Sequence, residues 1–251
     1  MKIARKDQII HLVTENRIVK ANELAEKFQV SMETIRRDLE QLEKEQIVRR
    51  VHGGAVLNVA SGIEPDYSYR EIKNYEQKIM IGKKAAELVK DGDTIIIDIG
   101  TTTLQMAKFL RGKSITVFTN SIKFAQELMD EEKVQLYLLG GKVRRGEGST
   151  SGFMAEDHVD LLLADKLFLG VAGLDERMGV MDFHIEECNL RRHCVSHSKE
   201  IIALADYSKV GQRALNQVCL PEKIDILITD ERADKQILKR LRERGVETVI
   251  A

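Results

Sequence analysis

The stretch Asp98-Ile99-Gly100-Thr101-Thr102-Thr103 carries the residue types that bind small anions. It follows the apolar run Ile95-Ile96-Ile97 and precedes the helical pattern Leu104–Leu110, so Gly100–Thr103 falls at a strand-to-helix turn. Glycine lets backbone amides approach a ligand closely, and a helix start offers unsatisfied N–H donors with positive partial charge. Three hydroxyls add donors, so the chemistry suits phosphate. Asp98 repels phosphate but accepts hydrogen bonds from sugar hydroxyls. The plainer alternative is a capped helix start in which the threonines serve only the backbone.

Three further turns extend this chemistry. Thr119-Asn120-Ser121 is a second polar turn before a helical pattern. Gly140-Gly141-Lys142, with Arg144 and Arg145 nearby, combines close backbone approach with positive charge. Asp206-Tyr207-Ser208-Lys209 brings a carboxylate, a hydroxyl and an ammonium. Each alone is an ordinary loop; together they make an anion-and-polyol constellation.

A different chemistry sits upstream, in Ser31-Met32-Glu33-Thr34-Ile35-Arg36-Arg37-Asp38-Leu39. Short hydroxyls at Ser31 and Thr34 suit nucleic-acid phosphates. Arg36 and Arg37 supply planar forks that grip guanine edges or phosphates in a bidentate way. Arg49, Arg50 and His52 follow on a basic turn able to touch the adjacent backbone. A solvated helix face with Glu33–Arg37 and Arg36–Glu40 pairs is the bland reading of the same residues.

The elements that must position these groups are legible from periodicity. Residues 3–17 read as an amphipathic helix with Ile9, Leu12 and Val13 apolar, and a second helix begins near Ala21. Ser31 is a good N-cap for a third, in which Ile35, Leu39 and Leu42 form one buried stripe. Residues 47–57 look like two short β segments turning at Gly53-Gly54. Three helices and a hairpin make a winged helix-turn-helix over residues 1–57. Residues 58–74, with Gly62 and Pro65, suit a linker, and Tyr75–Lys90 reads as a helix. Six apolar runs follow: Thr94–Ile99, Ile115–Phe118, Val134–Leu139, Lys166–Val171, Ile201–Ala205 and Ile224–Ile228. Such runs suit strands buried on both faces, so residues 75–251 are expected to form an α/β domain with a mostly parallel sheet. Ligands of open α/β sheets bind at the carboxyl ends of the strands, where the polar turns lie.

Bulk composition constrains the rest. The 251 residues include 43% apolar and 31% charged side chains, no Trp and two Pro, which excludes a disordered chain. The net charge of −1 does not announce nucleic-acid binding, yet residues 1–57 hold 11 basic against 9 acidic side chains and the remainder 28 against 31. Three cysteines, Cys188, Cys194 and Cys219, suggest no disulfide framework. No signal segment opens the chain and no apolar run reaches the ~18 residues that span a bilayer, so a cytoplasmic protein without membrane contact is expected. His184, Cys188, His193, Cys194 and His197 are crowded, with two i, i+4 pairs, but their angular offset and the adjacent Arg191-Arg192 argue against a metal site. No cofactor is called for.

The upstream motifs resemble a known family. Arg5-x3-Ile9-x3-Val13, then Ser31-x2-Thr34-Ile35-Arg36-Arg37-Asp38-Leu39, then Arg50-Val51-His52-Gly53-Gly54-Ala55 resemble the N-terminal signature of DeoR-type bacterial transcriptional regulators. The resemblance implies that Ser31–Leu42 is a recognition helix. It continues through D-x-G-T-T-T, T-N-S, L-G-G, G-x-x-G-L-D and A-D-Y-S-K-V-G, and implies an effector domain similar in fold to ribose-5-phosphate isomerase that senses a phosphorylated sugar or polyol. One segment departs from the pattern: Gly179-Val180-Met181-Asp182-Phe183-His184-Ile185-Glu186-Glu187 stands where many members have G-L-T-T-P-N-x-x-E-A-E. Glu187 keeps one acidic position and Asn189 replaces another, which bears on effector specificity.

Three rivals carry their own expectations. D-x-G-T-T also resembles the phosphate loop of actin-like sugar kinases, but the chain is too short for two kinase lobes. A sugar-phosphate isomerase with an accessory DNA-binding domain needs a carboxylate base, for which Asp98, Asp175, Glu187 and Asp206 are candidates. A pure oligomerisation module would bind no effector. The expected protein is a repressor, with no catalytic residues, that binds a double-stranded DNA operator as a homo-oligomer, dimer or tetramer. Its operator affinity is tuned by ligand at Asp98, Gly100–Thr103, Thr119–Ser121, Gly140–Lys142, Glu187, Asp206 and Lys209. The linker and following helix are expected to transmit the change by altering the spacing of paired reader domains.

Overall fold

Ile35, Leu39 and Leu42 line one face of a helix and meet Ile9, Val13 and Leu24 in a common apolar cluster. The computed structural model describes residues 5, 6, 8–10, 12, 13, 18–44, 47–57 and 64–251, excluding the side chains of Arg49 and Leu57. They divide into two compact units, Met1–Lys73 and Asn74–Ala251.

In the first unit the described residues between Arg5 and Val13 are helical, and those of the expected helix beyond Val13 lie outside the described set. Strand β1 (Ile18–Lys20), helix α1 (Ala21–Phe28), helix α2 (Met32–Lys44) and strands β2 (Val48–Val51) and β3 (Gly54–Leu57) follow. Gln29 ends α1 in the left-handed region at φ 51°, which turns the chain sharply toward α2. Ser31 then caps α2, its Oγ accepting the Thr34 amide at 3.2 Å. Arg5 Nε and Asp38 Oδ2 pair at 2.7 Å and pin the first helix to α2. The expected hairpin is present as β2–β3, but β1 pairs antiparallel on its other side, a strand the periodicity did not reveal. Gly54 permits this, because a Cβ there would strike the Val19 carbonyl. In the stretch expected as a linker, residues 58–63 lie outside the described set and Tyr67–Ile72 forms helix α3. Its Tyr69 packs into the cluster of the first unit.

The second unit runs α4 (Tyr75–Glu87), β4 (Thr94–Ile97), a 3-10 turn (Thr103–Met106), α5 (Ala107–Leu110), β5 (Ile115–Thr119), α6 (Ile122–Leu128) and β6 (Val134–Leu138). The hairpin β7 (Lys142–Arg144) and β8 (Ser149–Ser151) leads to α7 (Phe153–Asp160), β9 (Ala164–Gly170), β10 (Gly173–Asp175) and β11 (Gly179–Asp182). Helix α8 (Ile185–Ser196), β12 (Ser198–Leu204), β13 (Asn216–Cys219), β14 (Ile226–Thr229), α9 (Lys235–Glu243) and β15 (Glu247–Ile250) complete it.

Seven strands form one parallel sheet in the order β15-β14-β12-β9-β4-β5-β6. Alternation along each strand separates two cores. Ile95, Ile97, Phe168 and Ile202 face Ile81, Ala85, Leu110 and Phe124 of α4, α5 and α6. Ile96, Leu167, Leu169 and Ala203 face Val159, Cys188, Leu190 and Leu241 of α7, α8 and α9. All six apolar runs contain strands of this sheet. The seventh strand, β15, opens with two polar residues, Glu247 and Thr248, at the edge and gave no such run. The short hairpin β7–β8 and the antiparallel trio β10-β11-β13 were also illegible, being three or four residues each. No helix among the described residues is long and apolar enough to cross a membrane.

The strand order reverses between β4 and β9, so their carboxyl ends diverge into loops on opposite sides, the place where open α/β sheets form a crevice. Helix α4 reaches this region through Gly82, where a Cβ would lie 2.8 Å from the Gln105 backbone carbon and side chain. Gly82→Ala should therefore lower stability by about 1–2 kcal/mol in urea denaturation, the overpacking outweighing the helix propensity that alanine adds. A variant as stable as the wild type would mean that the helix does not approach the turn so closely.

Candidate functional site

At the crevice, Asp98 follows β4 directly and is buried. Its Oδ2 accepts the Gly170 amide of β9 at 3.1 Å and Arg191 Nε at 2.7 Å, while Asn120 Nδ2 points at Oδ1 from 3.4 Å. Asn120 Oδ1 in turn accepts the Ile99 amide at 2.7 Å. Thr119 Oγ1 donates to the Ile97 carbonyl at 2.7 Å and accepts the Ser121 amide at 3.1 Å. Ser121 caps α6 by accepting the Phe124 amide. The Thr119–Ser121 turn is thus spent on holding the loop after β4 against β5.

That loop keeps its donors. Thr103 Oγ1 donates back to the Gly100 carbonyl at 3.0 Å, closing the turn. The amides of Gly100, Thr101 and Thr102, and the hydroxyls of Thr101 and Thr102, have no hydrogen-bond partner among the described residues. A row of donors at the start of a helical turn, above a parallel-sheet switch point, is equipped to take an anion.

The floor beneath is a buried charge cluster. Arg191, on α8 and 4% exposed, reaches Asp98 through Nε, Asp182 Oδ2 through Nη1 at 2.7 Å and Glu187 Oε2 through Nη2 at 4.0 Å. Glu187 also accepts Ser149 Oγ at 2.5 Å and Arg144 Nη1 at 3.1 Å, which ties the β7–β8 hairpin to α8. Burial pushes the Asp98 carboxyl up to about 6; Arg191 opposes the shift, and Glu187 and Asp182 add to it. Burial also works against the Arg191 charge, but Asp182, Asp98 and Glu187 hold it protonated well beyond the ordinary range. Arg191, Asp182 and Ser149 were not recognised as site residues from sequence. Arg191 was visible only as half of a basic dipeptide, and Asp182 only as a departure from the family pattern.

The remaining candidates lie around the rim. Asp206, at the end of β12, is two strands away from β4 and buried. Its Oδ1 accepts Asn74 Nδ2 at 2.7 Å, the Ser208 amide at 3.0 Å and Ser208 Oγ at 2.6 Å. Burial would raise its carboxyl, but Lys209, Ser208 and Lys78 hold it below the ordinary range. Gly140-Gly141 form the turn from β6 into β7, where Lys142 is exposed and pairs with Glu186 at 3.0 Å. Of the crowded cysteines and histidines, His193 and His197 both approach Asp160 through Nδ1. Cys188 and Cys194 sit in the core, their thiols pushed up by burial, and His193 Nδ1 faces Asp160 at 2.6 Å. Among the described residues no group of three or more metal-ligating side chains comes together.

In the first unit Ser31 Oγ and Thr34 Oγ1 share a 2.9 Å hydrogen bond at the start of α2. Arg37 pairs with Glu33 at 3.3 Å, and Arg50 with Glu40 and Glu43 at 2.8 and 3.0 Å, all on the exposed surface. A groove of about 410 Å³ runs between Arg36 on α2 and Arg50, His52 and Gly53 on the β2–β3 turn. Exposed pairs of this kind are worth about 0–1 kcal/mol, so the arginines can exchange their carboxylates for phosphates at little cost. The Arg49 side chain lies outside the described residues.

Residues 5–60 match the family described as a DeoR-like helix-turn-helix domain, and residues 73–231 the DeoR C terminal sensor domain. The HTH-type transcriptional regulator GolR of Listeria innocua serovar 6a is 35% identical over 98% of this chain and 98% of its own. The HTH-type transcriptional repressor GlcR of Bacillus subtilis is 34% identical over 96% and 93%. The glycerol-3-phosphate regulon repressor of Escherichia coli K12 is 31% identical over 97% and 96%. Among solved structures, ribose 5-phosphate isomerase A of Methanocaldococcus jannaschii resembles it with a TM-score of 0.41 and 19% identity, over 57% of this chain and 56% of that one.

The Asp98 shift fixes a pH dependence. A carboxyl whose folded value lies near 6, above its ordinary 3.8, keeps its full stability contribution below about pH 4 and loses it as pH rises toward 6. The stability of the wild type relative to Asp98→Asn should therefore fall by about 3 kcal/mol between pH 4 and pH 7 in urea denaturation. A difference that is flat with pH would show that Asp98 titrates normally.

Proposed function

This chain belongs to the DeoR family and is a DNA-binding transcriptional regulator; from that footing we propose that it represses a sugar or polyol operon and releases or gains DNA in response to a phosphorylated sugar or polyol. One observation carries the effector reading: the unengaged amides and hydroxyls of Gly100–Thr102 at the switch point of the sheet. The phosphate sits on these donors and Thr103, with Lys142 and Lys209 supplying positive charge at the rim. Glu187, Asp206 and the Gly140-Gly141 backbone face the ligand's hydroxyls. Asp98, Thr119, Asn120 and Ser121 hold the loop in place. Relatives named as repressors, one of a glycerol-3-phosphate regulon, support both repression and this class of effector.

In the reader, residues 1–57, Ser31 and Thr34 approach DNA phosphates. Arg36 and Arg37 meet base edges or phosphates in the major groove, and Arg49, Arg50 and His52 the flanking backbone. Residues 75–251 bind effector and self-associate, because paired half-sites on DNA call for a dimer or tetramer. The protein acts in the cytoplasm.

The isomerase alternative fares worse. Proton abstraction needs a carboxylate with a spare oxygen and a raised or neutral pKa. Asp98 is consumed by Arg191, Gly170 and Asn120. Asp175 accepts the Arg177 and Met178 amides and pairs with Arg213 at 2.6 Å; burial is outweighed and its pKa lies below the ordinary range, as does that of Asp206. A regulator without turnover fits these commitments.

Arg37→Glu should weaken binding to a DNA duplex selected by the wild type by at least about 100-fold in gel shifts, while thermal shifts with sugar phosphates persist. Thr102→Glu should do the reverse, leaving DNA bound and abolishing the thermal shift. Normal DNA binding by the first variant would remove α2 from the groove, and turnover of a pentose or hexose phosphate would restore the enzyme reading.

A further inference from the structure

The boundary between the two units falls on one peptide bond, and each side of it is anchored. On the reader side the Lys73 amide donates to the Tyr69 carbonyl at 3.1 Å, and Lys73 Nζ lies 5.9 Å from the centre of the Tyr69 ring. Tyr69 is itself buried in the reader core. On the sensor side Asn74 donates through Nδ2 to Asp206 Oδ1 at 2.7 Å and to Ser208 Oγ at 3.3 Å. Its carbonyl accepts the Lys78 amide, which starts α4.

Asn74 adopts a left-handed conformation at φ 54°, one of two positive-φ residues other than glycine among those described. Asn tolerates this region because its short amide finds local partners, and such residues persist where the surrounding contacts over-determine them. Here the partners are the Asp206 and Ser208 side chains, 132 and 134 residues away in the chain.

Helix α4 also touches the other half of the candidate effector site. Its Gly82 packs against Gln105 in the turn that continues from Gly100–Thr103. One turn into the helix, Lys78 is buried and adds its charge to the environment of Asp206. A single 13-residue helix therefore bears on both loops assigned to the phosphate and the hydroxyls, and begins at the residue joined to the reader.

Resting on the effector reading above, we propose that Asn74 is the positioning residue through which effector occupancy reaches the DNA reader. A ligand hydroxyl that donates to Asp206 or Ser208 competes with the Asn74 amide for the same oxygens, and a phosphate drawn to Lys209 repels the Asp206 carboxylate. Releasing or tightening that hydrogen bond changes whether the left-handed turn at Asn74 is held.

The test compares wild type with Asn74→Gly, which accepts the left-handed backbone but lacks the amide. Each full-length protein is titrated onto a duplex selected from random sequence by the wild type. Titrations are run with and without glycerol 3-phosphate, glucose 6-phosphate and inorganic phosphate, and thermal shifts report probe binding. An allosteric coupling of about 5- to 150-fold is the usual range for the wild type. Asn74→Gly should keep its probe-free DNA affinity and its thermal shift, but its coupling should fall to within about twofold of unity. Asn74→Asp, which sets a second carboxylate beside Asp206, should lose coupling in the same way. Coupling in Asn74→Gly equal to that of a responsive wild type overturns the assignment alone. Loss of the thermal shift in Asn74→Gly also overturns it, by placing Asn74 in the pocket instead of at the joint. A wild type that no probe moves overturns the effector reading itself, and this assignment with it.

Discussion

The Arg191 guanidinium lies out of water among the carboxylates of Asp98, Asp182 and Glu187, which arrive from the end of β4, the end of β11 and the first turn of α8. Burying one charge costs several kcal/mol unless it is paired and hydrogen-bonded, and here Arg191, with Arg144 sharing Glu187, serves three anions. The geometry of the crevice follows from that shortage. Asp98 can be buried only if β9 approaches closely enough for the Gly170 amide to help, and Glu187 only if the β7–β8 hairpin brings Ser149 and Arg144. The ends of β4 and β9, the β7–β8 hairpin and the start of α8 are tied together by one network.

The same network shapes what the crevice can accept. Its floor carries three carboxylates, and the unengaged amides of Gly100–Thr102 lie on one wall. A ligand combining phosphate with hydroxyls suits a pocket with donors on one side and carboxylates on the others. Such a floor also discourages proton abstraction, because each buried carboxylate is already committed to a fixed partner. This distinction, more than the fold, favours a sensor over an isomerase, since one α/β scaffold can host either.

The reader is built on the opposite principle. Its arginines pair with Glu33, Glu40 and Glu43 on the open surface, where ion pairs are weak and exchangeable. Strong buried pairs define one unit and labile exposed pairs the other. Fixed partners suit a site that must hold its shape, and exchangeable ones suit a surface that must accept new partners. The two units meet in sequence at Lys73-Asn74.

Much was determined by residue order alone. The Ile35, Leu39 and Leu42 stripe, the Ser31 cap and the Gly53-Gly54 turn gave the helix-turn-helix and its wing, because local periodicity and capping act within a few residues. The six Ile/Val/Leu runs gave the parallel sheet, because burial on both faces leaves no polar alternation to confuse. The strand-to-helix turn at Gly100–Thr103 was legible from its glycine and the apolar run before it. What only the tertiary structure decided is which charged residues are buried together. Arg191 looks in sequence like any solvated arginine, and Asp182 like a loop carboxylate. Asn74 looks like the end of a linker. Their roles come from partners 93, 9 and 132 positions away. No local pattern encodes such pairings, because the penalty that enforces them arises only when folding removes the water.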